Sequence, residues 1–148
     1  MTRFFSVFLI SIILFNCSSP KREVAEEQEV EMEVANPTTD QLMEQVMALH
    51  DAVMPEMGNI RSTEKALRTM AETASDEAAR STYTQQADML DSAFSAMMVW
   101  MRQFDPEYAG TDEEIKGYLT DQKEQMAQVK DLMETALADG KALVEKAQ

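Results

Sequence analysis

The sequence is poor in the residues that most often carry chemistry. Its 148 residues include one cysteine, Cys17, and one histidine, His50. A single cysteine allows no intramolecular disulfide. One histidine rules out a di-iron carboxylate bundle, which needs two Glu-x-x-His motifs. Only four glycines occur, and none belongs to a Gly-rich phosphate loop or a G-x-S-x-G elbow. The chain is therefore not expected to be an enzyme. Positive charge is scarce as well: 13 Lys and Arg stand against 27 Asp and Glu, a formal net charge of −14. Such a surface repels phosphates, so nucleic acid is excluded as a partner. Long apolar runs are also lacking. The longest, FFSVFLISIILF, has twelve residues, fewer than the roughly 20 a membrane-spanning helix requires.

That run follows Arg3 and ends before Asn16-Cys17, the basic flank and apolar core of an export signal. Residues 1–16 are read as a signal peptide. Leu14-Phe15-Asn16-Cys17 resembles the lipobox of bacterial lipoproteins. Leu14 and Cys17 match its pattern, while Asn16 departs from the usual small residue. The resemblance implies that Cys17 receives lipid and becomes the first residue after cleavage; a buried or bonded thiol is the alternative. Two or more acyl chains give stable anchoring where one gives only marginal binding, so the expected partner is a membrane, reached through a lipid anchor. Residues 17–37 follow as a tether. Glutamates at 23, 26, 27, 29, 31 and 33 and an absence of aromatics leave too little apolar surface to offset chain entropy. An acidic stretch behind a lipidated Cys also resembles the export signals of surface lipoproteins in some Gram-negative lineages. The expected location is the cell envelope, on the outer membrane, facing either periplasm or surface.

From residue 38 the apolar period becomes helical and nothing reads as a strand. Thr38 and Gln41 form a capping box. Leu42, Val46, Leu49, Val53, Ile60, Leu67 and Ala74 then mark a first helix to about residue 73. Ser75-Asp76-Glu77 caps a second, whose core stripe is Tyr83, Ala87, Leu90, Phe94, Met98 and Met101; Asp105-Pro106 and Gly110 end it. Thr111 and Glu114 cap a third, striped by Ile115, Leu119, Gln122, Met126, Val129, Met133, Leu137 and Val144, with Gly140 as a weak point near its end. The carboxylates of Asp112, Glu113 and Glu114 are accounted for by the dipole of that helix start. The predicted fold for residues 38–148 is all-α, an antiparallel up-down-up bundle of three long helices. Pro55 is expected to kink the first, because it removes the hydrogen bond to the Asp51 carbonyl and crowds it. A true break at Gly58-Asn59, giving four helices, is the alternative.

Around Pro55 the sequence concentrates unusual residues. On a helical wheel the Leu/Val stripe adjoins a second stripe of Met57, His50, Met43, Met54 and Met47. Antiparallel reflection about the first turn brings Met97, Met98, Trp100 and Met101 to the level of His50. A second reflection adds Tyr118 and Gln122. Thioethers with an imidazole suit Cu(I) or Ag(I). The set resembles the ligands of periplasmic copper-resistance chaperones, which hold Cu(I) with His and Met beside a Trp ring, although those proteins are β-barrels. It points to a metal site at His50, Met54, Met57, Met98, Trp100 and Met101. Haem b with His and Met ligands is less compatible with a slim core. Packing alone is the competing explanation, since Met fills irregular gaps and sulfur sits well on aromatic edges. A third reading makes the methionines an adaptable surface for a protein partner, centred on Met43 and Met47.

H-D-x-x-M-P-x-M-G at 50–58 and A-D-M-L…A-M-M-V-W-M-R-Q-F at 87–104 resemble a group of small lipoproteins from Bacteroidota-type genomes, sometimes labelled "viral A-type inclusion protein". The resemblance implies a helical fold and an envelope location. It brings no established activity.

Overall fold

The structure, a computed structural model, describes residues 36–147. The expected signal peptide, Cys17 and the tether up to residue 35 lie outside the described residues. Four helices make up the described part: α1 (Thr39–Val53), α2 (Met57–Thr73), α3 (Glu77–Gln103) and α4 (Asp112–Lys146), with a 3₁₀ turn at Met54–Glu56 between the first two. The domain is all-α, and its helices pack on one another. Among the described residues, no helix is long and apolar enough to cross a membrane.

The helix ends follow from local side-chain chemistry. Thr38 Oγ1 accepts the Gln41 N–H at 3.2 Å, and Gln41 Oε1 accepts the Thr38 N–H at 2.9 Å. Asp76 Oδ2 accepts the Ala79 N–H at 2.8 Å at the start of α3. Thr111 and Glu114 repeat the reciprocal arrangement at α4, where the Glu114 carboxylate accepts both the backbone N–H (2.8 Å) and the hydroxyl (2.9 Å) of Thr111. Each device satisfies backbone donors that the first helical turn would otherwise leave bare.

The first helix is split rather than merely kinked. The interruption includes Pro55 itself, so Gly58 and Asn59 lie inside α2 and are not the break. Pro55 has no N–H to give to Asp51, and the ladder steps around it: the Met54 N–H still reaches the His50 carbonyl, and the Met57 N–H reaches only back to Met54. Val53 (φ −109°, ψ −16°) and Glu56 (φ −81°, ψ −9°) tighten toward the 3₁₀ pattern, while Met54 and Met57 stay helical. The apolar period therefore continues across the turn, and Val53 and Ile60 on its two sides are both buried.

The core runs the length of the domain through Val46, Val53, Ile60, Leu67, Leu90, Met97, Met126 and Met133. On α4 the buried positions Leu119, Gln122, Met126, Met133 and Leu137 coincide with the predicted stripe. On α3 the predicted stripe is displaced: Gln86, Ala87, Leu90, Ala93, Met97 and Trp100 are buried, whereas Tyr83, Phe94 and Met101 pack partly buried at its edge. The cause is that α3 packs against both α2 and α4. A helix held between two neighbours needs small residues, here Ala87 and Ala93, where the backbones approach, and places its large side chains on either flank. Gly140 likewise is no weak point. It is buried within α4, where a Cβ would lie 2.9 Å from Thr63 Cγ2 and 3.0 Å from Leu90 Cδ1, so it marks a point where side chains of α2 and α3 press closely on α4.

Candidate functional site

α1 packs chiefly on α4. Lys123 donates to Gln45 Oε1 at 3.0 Å across that interface. This arrangement carries His50 over the end of α3. Its ring centroid lies 5.7 Å from that of Trp100, tilted by 34°, and its side chain is 17% exposed. Trp100 stacks on Phe104 (4.8 Å, 16°), Phe104 faces Tyr118 (6.2 Å, 11°) and Tyr118 stacks on Tyr108 (4.3 Å, 12°). Five rings thus form a ladder from α1 through the end of α3 to the α3–α4 connection and the first turns of α4. Tyr118 reaches the His50 layer only through Phe104, and its hydroxyl accepts the Asp105 backbone N–H at 2.7 Å. Offset ring pairs of this kind contribute about 0.5–1.5 kcal/mol each beyond area burial, which pins the end of α3 against α4.

The His50 Nδ1 is 2.8 Å from Asp51 Oδ1, so His50 does not depend on Gln122 or Tyr118 for a polar partner. A carboxylate on one ring nitrogen fixes the tautomer and leaves Nε2 as the free ligand position. The candidate methionines sit at different depths on their helices. Met54, Met57 and Met101 pack partly buried against the core. Met98, Met43 and Met47 are half-buried on their helices, and Met97 is fully buried in the core. Two buried polar atoms in this region have no partner among the described residues: the Trp100 indole N–H and the Gln122 side-chain carbonyl. Among the described residues no three or more His, Cys, Asp or Glu side chains are grouped to hold a metal ion; a thioether site would be of a different kind.

A charged cluster that sequence reasoning missed ties α2 to α3. Glu64, 9% exposed, receives hydrogen bonds from Arg61 (2.7 Å) and Arg68 (2.9 Å). The same arginines reach Asp91 (2.8 Å) and Asp88 (3.2 Å) on α3, and the Arg61 guanidinium sits 4.1 Å over the Phe94 ring. Hydrogen bonding to Glu64 first, and then to the α3 aspartates, holds both guanidiniums more firmly protonated than usual. The spacing Arg61-x-x-Glu64-x-x-x-Arg68 places all three on one helical face and was readable as such. What the spacing could not reveal is that this face turns toward α3.

The second missed feature is an open groove of about 330 Å³ on the outer side of α3 and α4. Ala96, Val99, Trp100 and Gln103 line it from α3, and Gln125, Gln128, Val129 and Leu132 from α4. None of these carries charge. Val99 is 41% and Leu132 38% exposed. Met89, also 41% exposed, precedes Ala96 and Gln103 by seven and fourteen residues and so continues the same stripe of α3. The signal was present in the sequence as a heptad-spaced stripe without charge on an otherwise acidic chain, but it became a surface only once α3 and α4 were laid side by side. No family model, curated protein or solved structure matches the chain.

Proposed function

We propose that this chain is a lipid-anchored, acidic cell-envelope protein whose helical domain acts by binding rather than by catalysis. In this reading residues 1–16 direct export, Cys17 carries the lipid, and the acidic tether holds an up-down-up bundle away from the bilayer, with α1 and α2 as one broken rod. The observation that carries the binding function is the uncharged groove between α3 and α4. Exposed Val99 and Leu132 in a molecule of net charge −14 are costly to leave in water, and apolar patches bounded by polar residues are characteristic of interaction sites. Site-specific photo-crosslinking tests it. A crosslinker at Val99 in intact cells should yield a reproducible adduct, and one at exposed Ser62 on α2 should not; loss of that contrast overturns the reading. Cys17→Ser should release the protein from membranes. Retention would overturn the anchor.

The pairing of His50 with Asp51 and Trp100 favours a second reading, a Cu(I) or Ag(I) site that uses His50 Nε2 with thioethers from Met54, Met57, Met98 or Met101. Anaerobic competition titration of the full-length protein is the test. Binding no tighter than micromolar, or binding unchanged in His50→Ala with Met54→Leu, would remove it.

A further inference from the structure

We propose that the ring ladder is a route for one-electron oxidation, which carries oxidising equivalents out of the methionine-rich end of the core to the surface at Tyr108. This role needs neither an occupant of the α3–α4 groove nor a metal, so it goes beyond the binding readings above.

The first ground is where the oxidisable rings lie. The chain has one Trp and three Tyr, the aromatic side chains that give up an electron most readily, and three of these four belong to the ladder. Trp100 is 5% exposed and shares a core cluster with Met97 and Met126, against which Met54, Met57 and Met101 pack. The Phe104 ring lies 4.8 Å from Trp100, Tyr118 lies 6.2 Å from Phe104, and Tyr108 lies 4.3 Å from Tyr118. Tyr108 is 40% exposed. The series therefore starts beside buried thioethers and ends in water. Phe104 is not itself oxidised; its stacked ring joins Trp100 to Tyr118 in place of saturated side chains or solvent.

The second ground is the fate of the protons. An indole N–H donates only, and that of Trp100 is buried without a partner among the described residues. A Trp100 radical cation therefore keeps its proton and stays an uncompensated charge in the core, which is costly and makes it a strong oxidant toward the next phenol. Tyr118 can discharge it. Its phenolic oxygen accepts the Asp105 N–H at 2.7 Å, which leaves its own O–H to donate, and the residue is half-buried. One electron passes from Tyr118 to Trp100, the phenolic proton passes to water, and Trp100 returns to neutral indole. One electron and one proton then move from Tyr108 to the Tyr118 radical, and a thiol or enediol reductant in solution restores Tyr108 in the same way. The initiating oxidant is a radical of the hydroxyl or carbonate class, which takes the first electron and is reduced to its anion.

Packing alone does not account for this choice of rings. Phenylalanine at position 100 would also stack, without leaving a buried donor unpaired at a cost of about 1–3 kcal/mol. The consequence of such a route is protection: a methionine oxidised to sulfoxide becomes polar and disrupts a packed core, and Met97 and Met126 are fully buried.

Flash photolysis of the full-length protein tests the route. A cobalt(III) ammine takes an electron irreversibly from excited Trp100 and becomes cobalt(II), and because Trp100 is the only tryptophan the indole radical forms at one place. Transient absorption should show that radical decaying as a tyrosine phenoxyl radical grows in, at a rate independent of protein concentration. Tyr83 is the internal control, roughly 25 Å from Trp100 along α3 by the rise of an α-helix. Tyr83→Phe should leave the transfer unchanged, whereas Tyr108→Phe combined with Tyr118→Phe should abolish it with the far-UV circular dichroism spectrum unaltered. In Tyr108→Phe alone the phenoxyl radical should rest on Tyr118 and be reduced by ascorbate more slowly than in the wild type, which decides the matter even if the double variant does not fold. After exposure to carbonate radicals, peptide mass spectrometry should find more sulfoxide at Met97 and Met101 in the double variant than in the wild type. A phenoxyl signal that survives the double substitution or depends on Tyr83, ascorbate reduction unchanged in Tyr108→Phe, or equal sulfoxide yields would overturn the proposal.

Discussion

Gly140 and Gly117 offer a controlled measurement of how tightly α4 packs on its neighbours. Both are interior to the same helix, so replacement by Ala gains a similar helix propensity, about 1 kcal/mol. Their surroundings differ. At Gly117 a Cβ would meet nothing within 4 Å; at Gly140 it would lie 2.9 Å from Thr63 Cγ2, 3.0 Å from Leu90 Cδ1 and 3.6 Å from Leu67 Cδ1. Thr63 is β-branched and stiff at χ1, and Leu90 and Leu67 are fully buried, so neither side can yield freely. Overpacking of a close-packed core costs roughly 1–3 kcal/mol. Gly117→Ala should therefore stabilise the protein by about 1 kcal/mol, and Gly140→Ala should fall at least about 1 kcal/mol below it. Urea unfolding followed by circular dichroism measures the difference, provided the two variants share a slope. Adding Thr63→Ser to Gly140→Ala removes the clashing methyl and should recover part of the loss. If Gly140→Ala stabilises as much as Gly117→Ala, or if Thr63→Ser gives no recovery, the close approach of α2, α3 and α4 argued above is wrong.

Other perturbations address the remaining elements. Glu64→Ala leaves two arginines without their shared, nearly buried acceptor and should cost roughly 1–3 kcal/mol in urea unfolding; Glu134→Ala, which breaks the more exposed pair with Lys130, should cost less than about 1 kcal/mol. Equal losses would mean that Glu64 is not the centre of the cluster. The hydrogen bonds from the Thr111 backbone N–H and then its hydroxyl lower the pKa of Glu114 below its ordinary 4.5. The folded state therefore binds the proton less readily than the unfolded chain, so this contribution to stability is present above that value and is lost as pH falls through the folded-state pKa. Glu114→Gln should flatten the acid limb of a stability-against-pH profile, and an unchanged limb would refute the cap's role. Pro55→Ala restores a donor opposite the Asp51 carbonyl and should raise helical circular dichroism by joining α1 to α2. A spectrum without gain would show that packing, not proline, holds the turn.

Much of the fold was legible because it is local. Thr38, Asp76 and Thr111 fix the starts of α1, α3 and α4 through side chains that reach only three residues along the chain, and the 3.6-residue period identified Leu42, Val46, Val53, Ile60 and Leu67 before any neighbour was known. The effect of Pro55 was also readable in kind: a missing donor must interrupt the ladder. Its resolution as a 3₁₀ turn was not, because that depends on Val53 and Ile60 both remaining buried in the core.

The candidate site divides in the same way. Reflection about the turns placed His50 level with Trp100, and the structure brings the two rings to 5.7 Å. It did not foresee that Asp51, the next residue, would take the Nδ1 side, or that the ring series would continue through Phe104 and Tyr118 to Tyr108. Ring orientation depends on rotamers and on which helices flank a position, and neither is encoded in spacing.

What the sequence determined by itself is therefore the class of structure, the helix starts, the acidity and the scarcity of catalytic groups, all of which follow from residues acting on their immediate neighbours. What only the tertiary structure decided is which side of each helix is closed. Packing α3 between α2 and α4 buried Ala93 and Met97 in place of Phe94 and Met98, turned Glu64 inward, made Gly140 a contact and left Val99 and Leu132 facing outward. A helix has one period but several candidate faces, and the choice among them is made by the neighbours it packs against.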